Sequence, residues 1–141
     1  MRKSLKIASI TIVIGIAALA FARPWIEMEF AGSAHYTQQD SREYNFYTPE
    51  VLKKMPRISE RYDFDFANVT GPASHVYAVK FYDSKDTDEI NKYLSSSGYQ
   101  KQGDCDEDTL CWKGADPQET IYVGSLKGEN TVIVQVVYDF T

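Results

Sequence analysis

Ile7 to Ala22 (IASITIVIGIAALAFA) is a run of 16 residues without a charge, and Arg2, Lys3 and Lys6 stand before it with no acid among them. A basic end followed by an apolar run is the layout of a segment that engages the secretion machinery and leaves its basic side in the cytoplasm. The rest of the chain is therefore expected outside the cytoplasm.

Sixteen helical residues reach about 24 Å, short of a hydrocarbon core of about 30 Å. That length suits a cleavable signal, and small residues stand at Ala18, Ala20 and Ala22 where a peptidase would cut. Arg23, Pro24 and Trp25 follow at once. A basic residue and an indole anchor a short span at the membrane interface. We expect a retained signal-anchor, an inner-membrane single pass through residues 7–22 with the C-terminal part in the periplasm. The alternative is a secreted or soluble periplasmic protein cleaved near Ala20 or Ala22. No Cys follows the run directly, which excludes a lipoprotein.

Of 15 basic residues three lie in this segment, and of 20 acids none does, so residues 23–141 carry twelve against twenty, a net of −8. Such a surface repels phosphate backbones and excludes nucleic-acid binding. It attracts a basic protein partner, although acidity also serves solubility. Cys105 and Cys111 are the only cysteines and are expected to form a disulfide in an oxidising compartment. A zinc site would need His35 and His75 as well, both distant in sequence, so neither a metal nor another cofactor is expected.

Tyr62-Asp63-Phe64-Asp65-Phe66 alternates aromatic with acidic, the mark of a half-buried strand. Trp25–Phe30 alternates too, and Glu43–Tyr47 less cleanly; both are expected as strands. His75–Tyr82 and Thr131–Tyr138 are apolar on both faces, as central strands are. Thr120–Leu126 and the last strand are joined by the short turn at residues 127–130. One helix is predicted with Asp86 as cap, Ile90, Tyr93 and Leu94 as its apolar stripe, and Gly98 as its stop. A shorter one has Thr48 as cap and Pro49 first, and ends before Pro56. Residues 31–42 are polar and read as a tether. The fold class that results is α+β, a mainly antiparallel sheet with two helices packed on one face, preceded by the N-terminal transmembrane or signal helix. The expected organisation is residues 1–22 as signal-anchor or signal peptide, 23–42 as a membrane-proximal strand and tether, and 43–141 as a single domain.

Chemical motifs are sparse. Ser74 and His75 are adjacent and point opposite ways on a strand. Asp104, Asp106 and Asp108 open like a calcium loop, which then fails at Thr109 and Ala115. Asp63 and Asp65 form an acid pair that reads as a solvated strand face, and Asn68-Val69-Thr70 matches a glycosylation acceptor only in a eukaryotic host. No catalytic residue is assigned. Ten Tyr, seven Phe and two Trp exceed what a small core easily hides. They are expected to fill a core short of aliphatics, with Tyr36, Tyr44, Tyr47, Tyr82 and Trp112 the candidates for exposure at an interface.

In format, a small acidic domain on one apolar segment is similar to immunity proteins that neutralise toxins and to accessory subunits of envelope machines. The function expected is therefore non-enzymatic protein binding. The contact would be a stiffened acidic loop of Asp104, Asp106, Glu107 and Asp108 beside Trp112 and Tyr82. The alternative is a soluble periplasmic module holding a small ligand between sheet and helices.

Overall fold

The computed structural model describes residues 2–71, 73–103, 105, 109–126 and 128–140. The chain divides into two units, residues 1–31 and 32–141. The first is one helix, α1 (Arg2–Glu29), whose most apolar window has a mean hydropathy of 2.2 and is wholly exposed. It is long and apolar enough to cross a membrane and equally has the form of a signal sequence. Its 28 residues reach about 42 Å, so the span is not limited to the uncharged run. The strand expected at Trp25–Phe30 is the last part of this helix. Glu and Met are strong helix formers, and Arg23 donates to Glu27 one turn on at 2.9 Å, which outweighs the alternating pattern. Thr11 returns its hydroxyl to the Ile7 carbonyl at 2.9 Å, so that polar side chain is satisfied within the helix.

The second unit runs β1 (Ser33–Tyr36), α2 (Ser41–Tyr47), α3 (Glu50–Lys53), β2 (Tyr62–Val69), β3 (Ser74–Tyr82), α4 (Asp88–Ser96), β4 (Gln100–Gln102), β5 (Thr109–Lys113), β6 (Glu119–Leu126) and β7 (Thr131–Asp139). All seven strands join one antiparallel sheet in the order β1-β2-β3-β7-β6-β5-β4. The fold is α+β, and the two strands with apolar residues on both faces, β3 and β7, sit at its centre.

Directly paired residues share a face. One such row crosses the sheet as Tyr36, Phe64, Val79, Val134, Val123 and Leu110, and a parallel one as Phe66, Tyr77, Val136, Ile121 and Trp112. These rows and the Phe81–Val132 pair beside them hold the core: Phe64, Val79, Phe81, Ile121, Val132, Val134 and Val136 are fully buried. The helices pack on this face. Tyr44 and Tyr47 of α2 meet Phe64 edge-on at 5.3 Å and stack on Phe66 at 4.7 Å. Ile90 and Leu94 of α4 are fully buried, and the Tyr93 hydroxyl ties α4 to the Val51 carbonyl of α3 at 2.8 Å. Arg57 caps the end of α3 by donating to the carbonyls of Leu52 and Met55, and its Nη2 donates to the Tyr44 hydroxyl.

Three segments of this unit differ from their sequence reading. The short helix α3 begins at Glu50 with Pro49 as its cap, one residue later than expected, because the Thr48 hydroxyl is taken by Tyr36. Glu43–Tyr47 is helix, because only the three-residue spacing of Tyr44 and Tyr47 lets both rings reach β2. The supposed tether contains β1, an edge strand held by Tyr36, which is 2 % exposed, stacks between Tyr47 and Phe64, and shares a hydrogen bond with Thr48. The predicted α4 stands with its apolar stripe and glycine stop, but its N-cap is Thr87 and not Asp86, and no side chain caps it. The Asp86 carboxylate accepts from the Asp88 N–H, and Gly98 takes φ +93° as the helix ends. Gly128, at φ +77°, makes the β6–β7 turn.

Candidate functional site

The face of the sheet away from the helices is formed by the intervening residues. One row runs across all seven strands: His35, Asp65, Ala78, Gln135, Tyr122, Cys111 and Gln102. Rows beside it contain Asp63, Lys80 and Ile133, and Ala67, Val76, Val137 and Thr120. Val76, Val137, Ile133 and Tyr122 are half-buried and form a largely apolar middle around the Gln135 amide. Ala78 and Cys111 are buried because they are small beside larger neighbours.

Toward β1 the middle gives way to charge. His35 Nδ1 lies 2.8 Å from Asp65 Oδ1; a carboxylate only accepts, so Nδ1 carries the proton. The other ring nitrogen, Nε2, is 3.7 Å from Asp63 Oδ2. Tyr82 donates its hydroxyl to that same Oδ2 at 2.8 Å, while Asp63 Oδ1 is buried with no donor among the described residues. Lys80 Nζ stands 4.0 Å from Asp65 Oδ2. Arg61 lies over the Tyr82 ring, 4.9 Å from its centre. The Asp65 hydrogen bond raises the His35 pKa above the ordinary histidine range against an opposing effect of burial, and both carboxylates reinforce the rise. The Tyr82 phenol is pushed up to about 12, first by burial and then by the Asp63 carboxylate that accepts its proton.

Pairing positions these groups. Asp63 and Asp65 are two residues apart on β2, and His35 is the direct cross-strand partner of Asp65. The acid pair was visible in the sequence. His35 was missed because its strand is only four residues long, and nothing local tells which strand an edge segment will join.

Of the residues expected to bind a partner, the two that the structure describes, Tyr82 and Trp112, lie on opposite faces of the sheet. Tyr82 is half-buried on the open face, and Cys111 stands on that face bonded to Cys105, as expected for the pair. Trp112 is on the covered face, 6 % exposed, paired with Ile121; this corrects its place among the exposed rings. Its neighbour Cys111 takes the open side, so alternation sends the indole into the core. Tyr36 and Tyr47 are likewise core residues, and Tyr44 is half-buried beneath Arg57. Asp104, Asp106, Glu107 and Asp108 lie outside the described residues.

No family model matches this sequence, no curated protein is similar to it, and no solved structure matches it.

Proposed function

We propose that this chain is a non-enzymatic, membrane-tethered domain that binds another protein through the open face of its sheet. The observation that supports this is that, among the described residues of the second unit, helices roof one face only. The other presents a half-buried apolar middle of Val76, Val137, Ile133 and Tyr122 bordered by His35, Asp63, Asp65 and Lys80. An apolar centre with a charged border is the anatomy of a protein-binding surface. The partner we infer is basic on its facing side. Asp65 stands part-exposed at that border, and residues 23–141 carry a net charge of −8. In this reading α1 is retained as the anchor, with Arg2, Lys3 and Lys6 on the cytoplasmic side and the domain in the periplasm. An immunity-type inhibitor and an accessory subunit of an envelope complex both have this form.

One observation favours the second reading, a small-ligand module. Arg61, Tyr82, Asp83, Glu129, Asn130 and Thr131 line a cleft of about 380 Å³, with Asp83 in the left-handed region at φ 57°. The cleft is open to solvent, whereas small-molecule sites enclose most of their ligand.

Photo-crosslinking in the full-length chain tests the proposal, with a photoreactive residue at Tyr122 or Ile133, and at Lys92 on α4 as the control. Tyr122 and Ile133 should yield one discrete product with a different, basic protein, and Lys92 should not. The product should fall several-fold between about 0.05 and 0.5 M salt, as screened charge requires. Asp65→Lys should reduce it similarly. A product of two copies of this chain, a product from Lys92 alone, or none would overturn the reading.

A further inference from the structure

We infer that His35, Asp63 and Asp65 form a binding site for a zinc-class divalent cation, with His35 Nε2 and the Asp63 carboxylate as ligands and Asp65 as the residue that orients the imidazole. Ligand atoms from the three side chains all lie within 4.8 Å of one another. They are held on two hydrogen-bonded strands, so the cluster exists without any loop having to fold around an ion. Ligands bound at about 2.0–2.2 Å around a tetrahedral ion stand about 3.4 Å apart. His35 Nε2 and Asp63 Oδ2 are at 3.7 Å, so a closure of a few tenths of an ångström completes the pair.

Two further observations point to an ion rather than to a closed ion-pair network. Metal-bound histidines donate their remaining N–H to a carboxylate, which fixes tautomer and ring orientation. The 2.8 Å contact from His35 Nδ1 to Asp65 Oδ1 supplies that arrangement and leaves Nε2, the acceptor nitrogen, facing Asp63. Asp63 also has more acceptor capacity than the chain uses. Tyr82 occupies one lone pair of Oδ2, and Oδ1 has no donor among the described residues although it is buried. Leaving a carboxylate oxygen buried and unmatched is costly, and a bound cation removes that cost.

The donor set selects the ion. One imidazole with carboxylate oxygen suits zinc and its neighbours in the transition series; calcium and magnesium prefer all-oxygen sites. Lys80 engages the other oxygen of Asp65, 4.0 Å away. The His35 side chain is 62 % exposed, which gives the ion a path in and leaves its remaining positions to water. Two protein ligands make a moderate site, not a structural one.

Calorimetric titration of zinc into chelator-treated full-length protein in detergent micelles tests this, with the visible absorption of cobalt(II) as a second readout. The expected result is one ion per chain. His35→Ala and Asp63→Asn should abolish binding, and Asp65→Asn should weaken it about 10–100-fold, as loss of an orienting partner does. Tyr82→Phe should bind within a few-fold of the parent, and unchanged circular dichroism confirms that each variant is folded. The proposal is overturned if no zinc binds at millimolar concentration, or if His35→Ala binds as the parent does.

Discussion

Glu119 is 8 % exposed on the covered face of β6, a poor place for a carboxylate. It is tolerated because Tyr99 donates to one of its oxygens at 2.6 Å and Tyr138 to the other at 2.5 Å. This joins the segment after α4 to β6 and β7, and the Tyr99 ring is seated so closely that a Cβ on Gly114 would come within 2.9 Å of it. Glu119→Ala should therefore cost about 3 kcal/mol, the loss of two charge-assisted bonds, read from the denaturant midpoint. The same tyrosines give the fold an alkaline limit. Burial, then Glu119, raises the phenols of Tyr99 and Tyr138, and burial pushes Tyr36 up to about 12. A folded-state pKa above the unfolded value near 10 means stability that is fully present below pH 10 and lost as pH rises through the folded value. The midpoint should thus fall between pH 10 and 12 in step with tyrosinate absorbance; a flat midpoint across that range would contradict the assignment. At this scale the sequence showed the acidic pair Asp63 and Asp65, whose alternation is local. It did not show His35 beside them or Trp112 in the core, because both depend on which strand pairs with which.

Among the elements, those with a strong local pattern were legible. The strands β3 and β7 carry apolar residues on both faces, as central strands do, and α4 combines an aspartate that turns the chain into the helix, an apolar stripe and a stopping glycine. Where alternation was weak it misled. Glu43–Tyr47 and Trp25–Phe30 alternate over only a few residues, and in each a helix prevails, through ring packing on β2 in the first and through helix propensity and the Arg23–Glu27 pair in the second. The polar segment before Ser41 conceals β1 because an edge strand needs only one buried side chain, Tyr36. The Cys105–Cys111 bridge joins β5 to the segment after β4 with a Cα–Cα separation of 6.2 Å. It closes a short loop, so replacing both cysteines by serine should lower stability by about 2 kcal/mol through loop entropy. An unchanged melting midpoint would show that the bridge does not constrain the unfolded chain.

At the scale of the molecule the chain combines an apolar helix, able to anchor or to direct export, with an acidic domain whose sheet is covered on one side. The alternation of Tyr62–Phe66 implied a sheet with two unlike faces before any pairing was known. Which face the helices take was not implied, since β3 and β7 are apolar on both. The covered side took the larger rings, Phe64, Phe66, Tyr77 and Phe81, and left the smaller Val76, Ala78 and Val137 on the other with the charges of β1 and β2. The central claim is that this second side is occupied in its native setting. Hydroxyl-radical footprinting of the full-length protein in native membranes, compared with the purified protein in micelles, measures it directly. Tyr122, Ile133 and Val137 should be protected in the membranes and reactive once purified, while Phe46 on α2, 36 % exposed, reacts equally in both. Equal reactivity of Tyr122, Ile133 and Val137 in the two preparations would contradict the claim.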